Sequence, residues 1–235
     1  MQKEIIEKSF IMGIDNLEPE IANFLRFIKK GYSVREIFLK GVSLKIFSKA
    51  LSYMKYNFYS RGRGVDIDSR SVIDGSRYIY LGDRVWLQRG AWLSVPLIDM
   101  LNVEKRPYLT VEEGTRIGPN CTISAGNKIH IGKNVLFGPN VTVLDHMHQY
   151  EDITKPVLQQ GILNSGEVII EDNSWVAANA VIYSATKRLV IGKNSVVAAN
   201  SVVRDSVEPY TVVSGNPAVP IKRFDPITNK WERLK

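Results

Sequence analysis

From residue 64 onward, aliphatic residues recur every six positions, each followed four places later by a small or β-branched residue. LGDRVW and LQRGAW occupy 81–92, IGPNCT occupies 117–122, and IGKNVL and FGPNVT occupy 131–142. VAANAV at 176–181 and IGKNSV and VAANSV at 191–202 continue the series. Helical periodicity fails throughout. Because the repeat is an even number, an extended chain returns the same face inward at every step, and the Gly-x-Asn pairs supply sharp turns. Short parallel rungs stacked in this way pair their backbones from turn to turn and enclose an aliphatic core, which is the logic of a β-solenoid. A β-sandwich of short, evenly spaced strands is the competing architecture; the number of copies in one register argues against it.

The front third reads differently. In EPEIANFLRFIKKG, Pro19 suits a first helical turn, Ile21, Phe24, Leu25 and Ile28 share one face, and Gly31 is a natural stop. Ser33 with Glu36 has capping-box spacing and predicts a second helix ending near Gly41. Leu44, Phe47, Leu51, Met54 and Phe58 form a third apolar stripe, and RGRG at 61–64 breaks it. The expected organisation is therefore mainly β, with a helical segment over 1–63, a coil over 64–223 interrupted by a loop at about 144–166, and a tail over 224–235.

At 235 residues, 44% hydrophobic and 23% charged, the chain has the composition of a folded domain rather than of a disordered or fibrous protein. No stretch approaches the ~20 apolar residues that span a bilayer. The start, MQKEIIEK, lacks the apolar core of a secretory signal, so a cytoplasmic location is expected. One cysteine makes no internal disulfide, and three histidines leave little for a structural zinc site. The net charge of +7 is concentrated: residues 26–63 hold ten Lys or Arg against Glu36 alone. Such a segment suits an anionic neighbour, and three roles for it follow: a cap on the open end of the coil, peripheral contact with the inner face of a membrane, or, least favoured, nucleic-acid binding.

Four stretches carry candidate chemistry: VTVLDHMHQYED at 141–152, EDNSWVAANAVI at 171–182, VAANSVVRD at 197–205 and YTVVSGNPAVPIKRF at 210–224. Together with the hexads they resemble the left-handed β-helix (hexapeptide-repeat, isoleucine-patch) acyltransferases, and within them the sugar and polysaccharide O-acetyltransferases. The resemblance covers about residues 64–223. It implies a homotrimer, acetyl-CoA as co-substrate, no metal, and a sugar or polysaccharide acceptor. His146 is then the general base, with His148 as the competing candidate and Asp145 or a backbone carbonyl as the group that fixes the imidazole's tautomer. Imidazole suits the task, since a sugar hydroxyl must lose its proton as it attacks a thioester.

The resemblance also places Trp175 beside the donor and acceptor, Ala177 where the family has glycine, and the backbone N–H near Ala178 at the oxyanion. Ala199 would line the pantetheine arm, and Arg204, Lys222 and Arg223 would meet phosphates of coenzyme A. Asn120 is a candidate for holding the acceptor. Bland readings stand beside these: Trp175 as packing and Arg204 as a surface cation. The extra residues in YSATKRLVIG predict a bulge able to shift the groove. Cys121, four places after Ile117, reads as core. Metal-dependent hydration with Asp145, His146, His148 and His130 as ligands is a rival chemistry. N-acylation of a nucleotide-linked amino sugar is a second enzymatic reading, and a non-catalytic scaffold docked by its basic helices is a third.

Overall fold

The computed structural model describes residues 19–33, 46, 52, 55–96 and 104–234. Helix α1, Pro19–Lys29, forms as the apolar spacing predicts: Ile21, Phe24 and Leu25 are buried, and Gly31 ends it in the left-handed region at φ 79°. The second helix, and most of the stripe predicted from Leu44 to Phe58, lie outside the described residues. Tyr56 and Phe58 pack on the aliphatic core at the start of the coil, and the Tyr56 hydroxyl donates to the Ser71 carbonyl at 3.3 Å.

The remainder is a three-sided coil of parallel strands. Side one stacks Ser60–Arg61, Ile79–Leu81, Leu109–Val111, Lys128–Ile131, Glu167–Ile170 and Arg188–Ile191. Side two stacks Asp66–Ile67, Trp86–Leu87, Arg116–Ile117, Leu136–Phe137, Trp175–Val176 and Val196–Val197, then Thr211–Gly215. Side three stacks Val72–Asp74, Trp92–Ser94, Thr122–Ser124, Thr142–Leu144, Val181–Tyr183 and Val202–Val203. One strand of each side makes one turn, and three corners join the sides. Pairing is in direct register, so like stacks on like: Leu81, Val111, Ile131, Ile170 and Ile191 form one buried column, and Leu93, Ile123, Val143 and Ile182 another. Each such side chain contributes about 1.5–3 kcal/mol on leaving water.

The Gly-x-Asn turns divide their labour in a way that the pattern does not reveal. The asparagine takes the left-handed conformation, with φ between 53° and 59° at Asn120, Asn134, Asn140, Asn173, Asn179, Asn194 and Asn200. At the second corner the amides form a ladder, Asn140 Nδ2 donating to Asn179 Oδ1 at 3.0 Å and Asn179 Nδ2 to Asn200 Oδ1 at 3.1 Å. The glycine is needed for space instead. A Cβ on Gly118 would collide with the carbonyl oxygens of Phe137 (2.6 Å) and Gly138, and one on Gly138 would lie 2.7 Å from the Ala178 nitrogen.

Two excursions interrupt the coil, one between Ser94 and Leu109 and one between Leu144 and Glu167. The second folds on itself, Met147–His148 pairing antiparallel with Ile162–Leu163. After Gly215 the chain reverses: Ala218–Asp225 pairs antiparallel with Thr211–Gly215 and with Lys230–Arg233, so the segment expected as a tail from 224 is half of a hairpin.

Ile131→Ala empties the centre of a column closed on both sides, and is expected to cost about 2–5 kcal/mol. A denaturant titration should show a lower midpoint with an unchanged slope.

Candidate active site

Each turn of the coil brings the third corner back to the same edge, and there Asp145 and His146 meet the preceding turn. The Asp145 carboxylate is fully buried and accepts from three backbone amides. Oδ1 accepts the Gly126 N–H at 2.6 Å, and Oδ2 accepts those of Asn127 at 2.9 Å and Lys128 at 2.5 Å. The imidazole Nδ1 of His146 lies 3.0 Å from Oδ1. A carboxylate already serving as acceptor to three amides fixes this fourth contact as Nδ1–H donating, which leaves Nε2 with a free lone pair. The His146 side chain keeps 16% of its surface exposed, enough for a reactant to reach the ring.

Gly126 makes the arrangement possible. A Cβ there would stand 3.0 Å from His146 Cβ and 3.1 Å from Cγ and Nδ1, so the ring packs on bare backbone. Gly126 was not singled out in the sequence, although it lies one coil step of 20 residues before His146, the same step that pairs Val111 with Ile131.

His148 is placed otherwise. It is exposed on the strand Met147–His148, paired with Ile162, and has no carboxylate partner among the described residues. His130 faces outward on side one between Thr110 and Ile169. No group of three His, Cys, Asp or Glu side chains converges among the described residues in a way that would hold a metal ion.

The other candidates gather at the second corner and on side two. Trp175 is 48% exposed and pairs with Leu136 and Val196 in an outward, largely apolar row. Ala177 is buried, Ala178 half-buried and Ala199 exposed at successive second-corner turns, and Asn120 stands in the same asparagine column two turns before Ala178. Gly138 nests against the Ala177–Ala178 peptide, so close backbone approach is retained although alanine replaces glycine. The bulge predicted in YSATKRL is one residue: the step from Ile170 to Ile191 is 21 rather than 20. It is absorbed at the third corner, where Ser184 Oγ donates to the Lys187 carbonyl, and Trp175 remains in register with Val196.

The cations divide. Lys222 pairs with Val212 and extends the Trp175 row, Arg223 points to the opposite side of the hairpin with Glu232, and Arg204 follows side three at the third corner, apart from both. Within one chain, side three separates the His146 edge from the Trp175 row.

No family model matches the chain. It is 30% identical over 150 residues to a chloramphenicol acetyltransferase of Agrobacterium fabrum, a match covering 54% of this chain and 68% of that protein. The chain belongs to the hexapeptide-repeat acyltransferases. WbbJ of Escherichia coli strain K12, named as an O-acetyl transferase of lipopolysaccharide biosynthesis, is 29% identical over 134 residues, 54% of this chain and 67% of that one. The acyltransferase spans about half the length of three further curated acetyltransferases that it matches. Its coil is the left-handed parallel β-helix, superposing on AntD, an N-acyltransferase from Bacillus cereus solved with dTDP and coenzyme A, at a TM-score of 0.61. That match has 19% identity and covers 76% of this chain and 90% of AntD.

In this acyltransferase Cys121 is core, as its position after Ile117 predicts. It is fully buried, and burial pushes its thiol up to about 11. The native protein at pH 8 is expected to resist alkylation by iodoacetamide, and the unfolded protein to react at once. Rapid labelling of folded protein would contradict this placement.

Proposed function

We propose that the chain transfers an acetyl group from acetyl-CoA to a sugar hydroxyl, with His146 as general base. The observation that carries this reading is the buried Asp145 carboxylate holding the His146 Nδ1–H, which leaves Nε2 bare at the coil edge. Nε2 takes the proton of the acceptor hydroxyl as its oxygen attacks the thioester carbonyl carbon. The C–O bond forms, the C–S bond breaks, and the imidazolium returns the proton to the departing thiolate. A backbone N–H at Ala178 would bind the oxyanion, and Asn120 the acceptor. No group on the enzyme is acylated.

The donor would lie along the outward row from Trp175 through Val196 and Val212 to Lys222, apolar where the pantetheine arm runs and cationic at its end. Side three stands between this row and His146 in one chain, which supports a homotrimer with each site shared by two neighbouring coils. The likeness to WbbJ supports a glycan acceptor in surface polysaccharide or lipopolysaccharide synthesis. We place the enzyme on the cytoplasmic side, where acetyl-CoA is made; no helix among the described residues is long and apolar enough to cross a membrane.

His146→Ala is expected to lower turnover by about a hundredfold or more with the circular dichroism of the coil unchanged, whereas His148→Ala stays near wild type. Thiol release from acetyl-CoA, measured with hydroxyl sugars and amino sugars side by side, reads both the base and the acceptor class. Unchanged turnover in His146→Ala removes the assignment, and release with amino sugars alone replaces O- by N-acylation.

A further inference from the structure

The side-two pairing continues beyond the coil, with a register shift between Val212 and Val213 that leaves the Val212–Lys222 pair in place. Trp175 pairs with Val196, Val196 with Val212, Val212 with Lys222, and Lys222 with Arg233 on the hairpin's second strand. Directly paired residues point to the same side of a sheet, so Arg233 closes the row that Trp175 opens. Four steps of about 4.8 Å put its strand roughly 19 Å from Trp175. That is the order of the extended arm between the thioester sulfur and the nucleotide of coenzyme A.

Alternation brings Phe224 and Trp231 to this same side, and they pair with each other. Tyr210, Phe224 and Trp231 form a run of rings, with centroids 6.2 and 5.6 Å apart, and Trp231 leaves 42% of its surface open. Lys193 Nζ stands 5.7 Å from the Tyr210 ring at the far end of the run. The hairpin's carboxylates are turned away: Asp225 and Glu232 alternate to the opposite side, where the Thr228 hydroxyl lies within hydrogen-bond distance of both, at 3.0 and 3.3 Å. Arg223, placed on phosphate by the resemblance, belongs to that acidic side through its pairing with Glu232. An open aromatic face with cations beside it and the hairpin's own acids turned away is the chemistry that binds a phosphorylated nucleotide. The base stacks for about 1–3 kcal/mol, and guanidinium forks the phosphate.

We propose that the outer side of this hairpin is the platform for the 3′-phosphoadenosine end of coenzyme A, Trp231 stacking on adenine and Arg233 with Lys222 gripping the 3′-phosphate. This rests on the coenzyme reading above and adds two residues, Trp231 and Arg233, that neither the motifs nor the resemblance singled out.

Calorimetric titration of the full chain with coenzyme A, 3′-dephospho-coenzyme A and dTDP tests it, in wild type, Arg233→Gln and Trp231→Ala. All are exposed positions, and circular dichroism checks that each variant is folded. Wild type should bind coenzyme A more tightly than the dephospho form. Arg233→Gln should weaken coenzyme A about tenfold, the scale of one charge-assisted bond, and leave the dephospho form nearly unchanged. Trp231→Ala should weaken both. If wild type binds coenzyme A but Arg233→Gln loses nothing, or loses equally for both forms, the platform is wrong and the coenzyme reading stands. If wild type binds neither form, the coenzyme reading fails and takes the platform with it. If dTDP binds, competes with coenzyme A and is weakened by Arg233→Gln, the surface belongs to a nucleotide-linked acceptor and the proposal is overturned.

Discussion

The backbone hydrogen bonds between successive turns decide what this molecule can be. They run along the coil axis, as in Gly82 N–H to the Val111 carbonyl, Gly132 N–H to Ile170 and Thr142 N–H to Ala180, and they pin each residue to its counterpart one turn away. Inside, that registration converts a six-residue aliphatic pattern into closed columns. Outside, it converts scattered residues into rows. Trp175, Lys222 and Arg233 are distant in sequence and share one row only because side two carries the pairing from turn to turn and on into the hairpin, past a register shift between Val212 and Val213.

The same constraint builds the edge that holds Asp145 and His146. Three consecutive amides, the buried one of Gly126 and the half-buried ones of Asn127 and Lys128, all point to one acceptor at the turn that closes one coil. Asp145, one coil later, satisfies all three and is thereby held as an acceptor, so its hydrogen bond to His146 is set by the fold rather than by the loop that follows. The loop then needs only to leave Nε2 uncovered. Glycine at 126 accommodates the ring, and a Cβ there would crowd it enough that the imidazole would have to give way slightly.

Much of the coil was legible in the sequence because an even hexad repeat dictates which face turns inward, and Ile117, Ile131, Ile191 and their partners sit where that arithmetic puts them. Helix α1 and its stop at Gly31 were equally plain. What stayed hidden depends on contacts between turns. The pattern could not say that asparagine would take the left-handed conformation while glycine makes room, nor that three amides would gather on Asp145 beside His146 and leave His148 on a separate strand. Arg204, Lys222 and Arg223 looked like one phosphate-binding set; the coil assigns them to three surfaces, because side three, side two and the reversed face of a hairpin diverge. Trp231 and Arg233 carry no motif, and antiparallel pairing after residue 217 alone brings them into the row.

The tautomer of His146 tests the account most directly. Protein labelled with 15N at histidine, observed by long-range 1H–15N correlation, should show the neutral form of His146 carrying its proton on Nδ1, with Nε2 bare, and should lose that preference in Asp145→Asn. A proton on Nε2 in the wild type, or a tautomer indifferent to Asp145, would contradict the claim that the coil prepares this imidazole to take a proton from the acceptor.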